Sequence, residues 1–460
     1  MFILMVVIFV LGYLAIALEH PLRVDKAASA LIIGTLCWVA YIVGAEDILH
    51  LGFSPSWAAF LAAHPDVHGL HAIHEFIVEN EIIHHIGEIG EILFFLLGAM
   101  TIVEVVDQHE GFKIITDRIK TTKKVKLLWI LSFLTFFMSA LLDNLTTTIV
   151  LVALLRKLID DKQTRWFFAS MVVLAANAGG AWSPIGDVTT IMLWIGNQVT
   201  ALRIIEGVFL PSLVCMVVPL VILSFTMKGN VNRPKIDEDE EDITTPKEKI
   251  LFLILGVGGL LFVPVFKTTT HLPPYMGMLL SLGILWVVSE IIHRDKPKEI
   301  KDQLKVVNIL RRVDVPTVLF FLGILSAVAA LQSAGQLNVL SQYLNEKLHN
   351  IYLIDLAIGI LSSVVDNVPL VAGAMGMYPI ADAGAVGYDA FFVQDGLFWE
   401  FLAYTAGTGG SMLIIGSAAG VAAMGLEKID FIWYLKRISW LALIGYLAGA
   451  GVYFIQFNHL

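Results

Sequence analysis

The chain has 460 residues, of which 57% are hydrophobic and 15% are charged, against about 45–50% and about 25% in soluble proteins, so a soluble fold is excluded. The formal net charge of −10 at pH 7 excludes a nucleic-acid-binding protein, which needs a basic surface. The two cysteines, Cys37 and Cys215, lie in apolar runs, which excludes a disulfide scaffold. We predict an all-α polytopic membrane protein, because a chain within hydrocarbon must satisfy its own backbone hydrogen bonds.

Ten apolar runs are long enough to cross a membrane, since about 20 helical residues span about 30 Å of hydrocarbon. Eight runs are uninterrupted, and two are broken by glycine and polar residues. The uninterrupted runs are Phe2–Leu18, Ala27–Ala45, Ile89–Val106, Val208–Met227, Ile250–Phe266, Met276–Ile292, Val315–Leu331 and Ile432–Ile455. The broken runs are Trp166–Ile195 and Leu397–Met424.

Two further apolar segments are too short to cross. Leu127–Leu142 has 16 residues and Ile351–Val365 has 15, and 16 helical residues reach only about 24 Å at about 1.5 Å per residue. The dipeptide Asp-Asn follows each segment directly, beginning at Asp143 and at Asp366. We predict that each segment is one arm of a re-entrant hairpin with the Asp-Asn pair at its tip.

The positions of lysine and arginine test this threading, because they play no part in drawing it. With the N-terminus outside the cell, 27 of the 30 basic residues fall on the cytoplasmic side, as the positive-inside rule requires. Ten crossings also place the C-terminus outside. The first hairpin then opens to the cytoplasm and the second to the outside.

This orientation makes the two halves inverted copies, and both halves carry the same two motifs. Ser139-x-x-x-Asp143-Asn144 matches Ser362-x-x-x-Asp366-Asn367, and the sequence from Asn177 to Gly186-Asp187 matches that from Gly407 to Gly416-Ser417. Inverted repeats with broken helices are typical of secondary transporters. The predicted division is an N-terminal helix and cytoplasmic loop (1–26), a first repeat (27–227) with a histidine-rich outer loop (46–88), an acidic cytoplasmic linker (228–249) and a second repeat (250–460).

The tips and breaks carry ionisable groups that a membrane disfavours. A charged side chain within a membrane helix costs about 2.5–3.5 kcal/mol, so Asp143, Asp187 and Asp366 require a function there. Unwound backbone, amide oxygens and carboxylates together suit a small hard cation such as Na⁺ or Li⁺. The predicted ligands are Asp143, Asn144, Asn177, Asp187, Ser183, Thr189 and Thr190 in the first half, and Asp366, Asn367, Thr408 and Ser411 in the second.

The first half is predicted to hold the better Na⁺ site, formed by Asp143, Asn144, Asn177 and Asp187, because Gly407 and Ser417 replace Asn177 and Asp187 in the second half. A buried carboxylate can also take a proton, and competition between Na⁺ and H⁺ for one site is sufficient for antiport. Three alternatives remain open. The hydroxyls can bond the carbonyl one turn back, the glycines can serve helix packing, and the Asp-Asn pairs can cap the second hairpin arms.

Seven of the 13 histidines lie between His50 and His85. Histidine changes charge between pH 5 and 8, so this segment is a candidate pH sensor, and adventitious Zn²⁺ binding is a second interpretation. A solvated amphipathic helix on the membrane surface is the third. The candidate pH-sensing residues are His68, His71, His74, His84, His85 and Glu88.

At these motifs the chain resembles the NhaD-type sodium/proton antiporters of the ion transporter superfamily. The segments that carry the resemblance are EHPLRVDKAASALIIGTLCW, EILFFLLGAMTIVEVVDQHEGF, SALLDNLTTTIV, NAGGAWSPIGDVTTIMLW, SSVVDNVPL and TAGTGGSMLIIGSAAG. The resemblance implies export of Na⁺ and Li⁺ in exchange for H⁺, an elevator-like motion, a homodimer and no cofactor. The site residues that it implies are Asp143, Asn144, Asn177, Asp187, Thr189, Thr190, Ser362 and Asn367, with Glu88 and Glu91 in the same polar set.

We therefore expect a Na⁺(Li⁺)/H⁺ antiporter of a bacterial inner membrane rather than an enzyme. The alternative on the same scaffold is a sodium-coupled dicarboxylate or oxyanion transporter, which the negative charge at the two tips disfavours. An intramembrane hydrolase would need the carboxylates of Asp143 and Asp366 within about 3 Å of each other. A channel is disfavoured by the paired hairpins.

Overall fold

The computed structural model of the chain describes residues 1–17, 19–64, 69–116, 118–234, 243–348 and 350–457. Within these ranges the elements are helices, and the β-pairing consists of two isolated bridges, Lys123 with Asn230 and Ala381 with Val393. The all-α polytopic prediction is confirmed. The acids of the linker at 237–242 lie outside the described residues.

Eight helices in the described part of the chain are long and apolar enough to cross a membrane. They are Lys26–Val43, Ile73–Gln108, Lys124–Leu142, Ala201–Thr226, Pro246–Thr270, Pro274–Ile292, Val315–Ser333 and Ser439–Phe457. Shorter helices are Phe2–Ala17, Glu19–Leu22, Ala45–His50, Pro55–Ala63, Leu70–Glu75, Lys113–Thr116, Lys298–Leu304, Val306–Ile309, Gln336–Lys347 and Phe431–Arg437, with 3₁₀ turns at Leu310–Arg312 and Gly387–Phe392.

Helix Lys26–Val43 packs between Phe2–Ala17 and Val315–Ser333. At the second of these contacts the backbones touch, since a Cβ on Gly34 would lie 2.5 Å from the carbonyl oxygen of Gly323. Small residues permit such close helix approach in membranes. This packing places the first residues of Lys26–Val43 beside the second hairpin.

The first hairpin consists of Lys124–Leu142 and Asn144–Leu158. Its outer ends lie together, because the Lys124 amide donates to the Gly229 carbonyl at 3.0 Å and the Asp160 amide to the Asn232 carbonyl at 2.9 Å. The first arm begins at Lys124 and its 19 residues suffice to cross, so the prediction that this segment is too short to cross was wrong. The shared end shows instead that the chain turns back at Asp143.

The second hairpin consists of Ile351–Leu361 and Asn367–Met377. The Tyr378 hydroxyl, which follows the second arm, lies 3.1 Å from the side-chain oxygen of Asn345, shortly before the first arm. Both outer ends of this hairpin therefore also lie close together.

Two broken helices lie between the hairpins and run antiparallel. The first broken helix is Lys162–Ala181 with Val188–Ile195, and the second is Leu397–Gly409 with Ala418–Glu427. At one end Arg165 donates to Glu427 at 2.9 Å, and at the other Thr200 donates its hydroxyl to Asp395 at 3.0 Å. Each broken helix thus begins where the other ends, which is the arrangement that inverted repeats require.

Two predicted boundaries were wrong. The helices Leu70–Glu75 and Ile83–Gln108 and the π-helix Phe76–Ile82 between them form one helical stretch, so the helix predicted to begin at Ile89 begins inside the predicted outer loop 46–88. Histidine and glutamate interrupt an apolar run without breaking backbone hydrogen bonds, and the helix continues through them. The last run divides near Ile438, and only Ser439–Phe457 is long enough to cross.

Candidate functional site

Asp187 is the anchor of the candidate site. It ends the break of the first broken helix, caps the helix Val188–Ile195 and is only 1% exposed. Its Oδ1 accepts hydrogen bonds from the amide and the hydroxyl of Thr189, both at 2.9 Å. The Thr190 hydroxyl donates to the Asp187 carbonyl at 2.8 Å. The local cap therefore holds Oδ1 and leaves Oδ2 directed at other elements.

Both hairpin tips meet at this carboxylate. Asn144, from the first tip, donates its side-chain amide to Oδ2 of Asp187 at 2.7 Å. Asn367, from the second tip, donates to both oxygens at 3.4 Å. One buried carboxylate thus joins the two halves of the chain.

Asn177 extends the contact to the second broken helix. Its Oδ1 accepts from Asn144 at 3.0 Å, and its Nδ2 donates to the hydroxyls of Ser411 and Ser417, both at 2.9 Å. We call these residues the central cluster: Asn144, Asn177, Asp187, Asn367, Ser411 and Ser417, all of which are buried. Ser417 was not predicted as a site residue, although its match to Asp187 in the repeat was the signal for it.

The aspartates at the two tips lie beside the central cluster and cap their own helices. Asp143 accepts at 2.7 Å from the amide of Thr146 and at 2.8 Å from its hydroxyl. Asp366 accepts from the Val368 amide at 3.2 Å, and its Oδ2 lies 3.7 Å from Lys26 Nζ. These contacts match the capping alternative and use each carboxylate separately, which does not favour a hydrolase dyad. Cation binding by either residue stays a prediction.

The remaining predicted hydroxyls bond backbone carbonyls. Ser183 donates to Ala140 and Ser362 donates to Ala406 at 2.9 Å, so both tie a hairpin to a broken helix. Thr408 donates to Tyr404 one turn back at 2.6 Å, as the backbone-bonding alternative expects.

Matching contacts occur in both halves at matching positions. Ser139 donates to the Ala176 carbonyl at 2.6 Å, as Ser362 does to Ala406. A Cβ on Gly179 would lie 2.2 Å from the Phe136 carbonyl oxygen, and one on Gly409 would lie 2.0 Å from that of Gly359. The inverted repeat itself stays a prediction, and these paired contacts show that the two glycines permit backbone contact.

The predicted pH-sensing residues are only partly brought together. Buried His85 lies 3.2 Å from Glu88 and 3.1 Å from the Ser333 hydroxyl, and His84 lies 3.3 Å from Glu88. His74 is exposed. His68 and the side chain of His71 lie outside the described residues, and across the rest no group of three His, Cys, Asp or Glu side chains could hold a metal ion. His85, Glu88 and Glu91 line a cavity with Asn197 and Met375, beside the end of the first broken helix and the second hairpin.

Asp355 and Glu400 are buried acids that the sequence analysis did not single out. Asp355, in the first arm of the second hairpin, is fully buried, and neither oxygen has a hydrogen-bond partner in the described part of the chain. Glu400, in the second broken helix, lies 2.7 Å from Arg203 and accepts from the Tyr453 hydroxyl at 3.1 Å. The available signal was a single acid inside each apolar run.

The central cluster offers the oxygens that a small cation requires. Asp187 supplies a carboxylate, the three asparagines supply amide oxygens, and the serines supply hydroxyls. Small hard cations such as Na⁺ and Li⁺ prefer oxygen ligands of these kinds. The same carboxylate can bind a proton, so one site can serve both ions.

Comparison with known proteins gives the family. A family model described as citrate transporter matches residues 2–393. The chain is 44% identical over 459 residues to "Sodium/proton antiporter 1" of Arabidopsis thaliana, covering 99% of this chain and 72% of the relative. It is 42% identical to "Sodium/proton antiporter 2" of the same plant, with 99% of both chains covered. It is 29% identical to "Na(+)/H(+) antiporter NhaD" of Alkalimonas amylolytica, covering 97% of this chain and 89% of the relative.

Proposed function

Since the chain belongs to the NhaD-type sodium/proton antiporters, within the family that the citrate transporter model describes, we propose that it exchanges Na⁺ for H⁺ across a membrane. The observation that carries this proposal is the position of Asp187. One buried carboxylate receives side chains from both hairpin tips and lies at the break between the helices Lys162–Ala181 and Val188–Ile195.

The exchange follows from the high free energy of an ionised carboxylate that has no positively charged partner. An ionised group without a partner is expensive in the membrane interior, so Asp187 is neutralised either by a proton or by Na⁺. Na⁺ would bind Asp187 together with amide oxygens of Asn144 and Asn177, which must then turn away from their present hydrogen bonds. Because the two ions exclude each other at one carboxylate, the movement of one is coupled to the countermovement of the other.

We also propose Li⁺ as a second substrate, an elevator-like motion and a homodimeric assembly. Li⁺ is a second substrate because it is a small hard cation like Na⁺. An elevator-like motion of the hairpins and broken helices is supported by Glu427, which lies 2.7 Å from Arg156 of the first hairpin and 2.9 Å from Arg165 of the first broken helix. These contacts would let the parts move as one body. We propose further that the protein is a homodimer in a bacterial inner membrane, with both termini on the outer side.

The description of the family model raises citrate or another carboxylate as a second substrate class. Such a polyanion would meet the carboxylates of Asp143, Asp187 and Asp366 around the candidate site. Carboxylates placed close to a bound polyanion would repel it, because both carry negative charge. The charge of the site therefore favours cation exchange.

The substitution Asp187→Asn tests the proposal. In everted vesicles we expect it to abolish proton movement on addition of Na⁺, because an amide neither binds a proton nor neutralises Na⁺. The matched control is Asp161→Asn, at an exposed aspartate that caps the start of the same broken helix. It should transport like the wild type. Wild-type vesicles without Na⁺-dependent proton movement, or full activity of Asp187→Asn, would refute the proposal.

A further inference from the structure

A small cavity lies beside the central cluster, between the N-terminal helices and the second hairpin. Its lining includes Tyr13, Glu19, Lys26, Asp366 and Ser417. Ser417 is also a member of the central cluster, where it accepts a hydrogen bond from Asn177 at 2.9 Å. Ser417 therefore belongs both to the lining of this cavity and to the central cluster.

The ammonium group of Lys26 lies in this cavity at a position where a metal cation could bind. Lys26 Nζ lies 3.7 Å from Asp366 Oδ2 and 4.4 Å from the centre of the Phe320 ring, so a carboxylate and an aromatic face both attract the ammonium group. The side chains of Lys26 and Asp366 are 23% and 16% exposed, so the pair is shielded from solvent without being sealed from it. Partial exposure leaves a path by which another cation could enter.

The cavity also contains two side chains, Tyr13 and Asp366, whose oxygens could bind a cation. The hydroxyl of Tyr13 is buried and has no hydrogen-bond partner in the described part of the chain. Asp366 Oδ1 accepts one backbone hydrogen bond, from Val368, while Oδ2 faces Lys26. A phenol oxygen and a carboxylate oxygen are ligands for Na⁺ rather than for an anion.

We propose that this cavity is a second cation site, and that Lys26 is its tethered competitor. The ammonium of Lys26 neutralises Asp366 in the described conformation, and Na⁺ entering the cavity displaces it and binds Asp366 and Tyr13. The first tip has a different arrangement, because Thr146 supplies hydrogen bonds to both oxygens of Asp143. This inference rests on the proposed function and adds to it a residue that sets Na⁺ affinity.

Equilibrium binding of ²²Na⁺ to the purified full-length protein tests the competition. Removing a competitor tightens the binding of the ligand that it displaces, so we expect Lys26→Gln to lower half-saturating Na⁺ about threefold to tenfold. Lys26→Met, which keeps the aliphatic stem over Phe320, should lower half-saturating Na⁺ by a similar factor. It replaces Lys26→Gln in the experiment if the glutamine variant does not fold. Lys26→Arg retains the positive charge and should bind Na⁺ like the wild type.

The matched control is Lys162→Gln. Lys162 also lies over an aromatic ring, 5.2 Å from the centre of Trp166, at an exposed helix start. Its replacement should leave Na⁺ binding unchanged. In an Asp366→Asn background the effect of Lys26→Gln should disappear, because the competition requires the carboxylate.

Unchanged Na⁺ binding by both neutral Lys26 variants would overturn this inference, as would the same shift in the Asp366→Asn background. Proton movement by the wild type in vesicles is measured in parallel. If the wild type shows Na⁺-dependent proton movement while the Lys26 variants bind Na⁺ unchanged, the competition fails and the proposed function stands. If the wild type shows none, the proposed function itself fails.

Discussion

The two hairpin tips share the dipeptide Asp-Asn but differ in what surrounds it. At the first tip, Asn144 lies 2.7 Å from Asp187 and 3.0 Å from Asn177. At the second, Asn367 reaches Asp187 only at 3.4 Å, and Asp366 faces Lys26. The same dipeptide thus caps a helix at both tips, but its contacts with the rest of the molecule differ between them.

The difference arises in the breaks that the tips approach. The first break ends in Asp187 and the second in Ser417, and both residues cap the helix that follows. A serine satisfies the backbone without adding a charge. The single carboxylate in the first break therefore draws both asparagines to it and makes the central cluster asymmetric.

The largest effects are expected where the two halves are most alike. Gly179→Ala and Gly409→Ala would each place a Cβ within 2.2 Å or less of a backbone oxygen, and overpacking of this kind costs about 3 kcal/mol. Both variants should lose thermal stability by a similar amount, measured by thermal unfolding of the purified protein. Gly425→Ala is the control, because a Cβ there would meet no atom within 4 Å. Loss of stability in only one of the two variants would break the structural equivalence of the halves.

The next effects should separate the tips. Asn144→Ala removes two short hydrogen bonds to the central cluster, whereas Asn367→Ala removes only the long contacts to Asp187. We expect half-saturating Na⁺ for proton movement to rise about tenfold in the first variant, which corresponds to about 1.4 kcal/mol, and distinctly less in the second. Equal increases would show that the shorter distances at the first tip have no functional consequence.

The smallest effects concern the caps. Loss of an N-cap aspartate costs about 1 kcal/mol, so Asp143→Ala and Asp366→Ala should each lower the stability measured by thermal unfolding. Asp143 has φ of 89°, which alanine tolerates poorly, and it bonds both the amide and the hydroxyl of Thr146. The larger loss is therefore expected at the first tip. A larger loss from Asp366→Ala would indicate that the ion pair with Lys26 outweighs the cap.

Much of the candidate site could be predicted because helix ends and breaks are local features. Asp143 and Asp366 directly follow apolar segments, Asp187 ends a break that contains glycines, and each of the three caps the next helix. The runs themselves indicated the kind of element but not the number or the limits of the helices. The helix that contains His84 and His85 continues through polar residues because its backbone hydrogen bonds do not depend on side-chain polarity.

The amino-acid sequence by itself determined an all-helical membrane protein, the positions of both hairpin tips and both breaks, and the residue types at each. Only the tertiary structure decided which of these residues meet. Asn367 lies 180 positions from Asp187 and contacts it, whereas Asp143 turns to Thr146 three positions away. Lys26 reaches Asp366 across the packing of separate helices. The physical reason is that caps and breaks depend on a few neighbouring residues, while contacts between distant side chains depend on how whole helices pack.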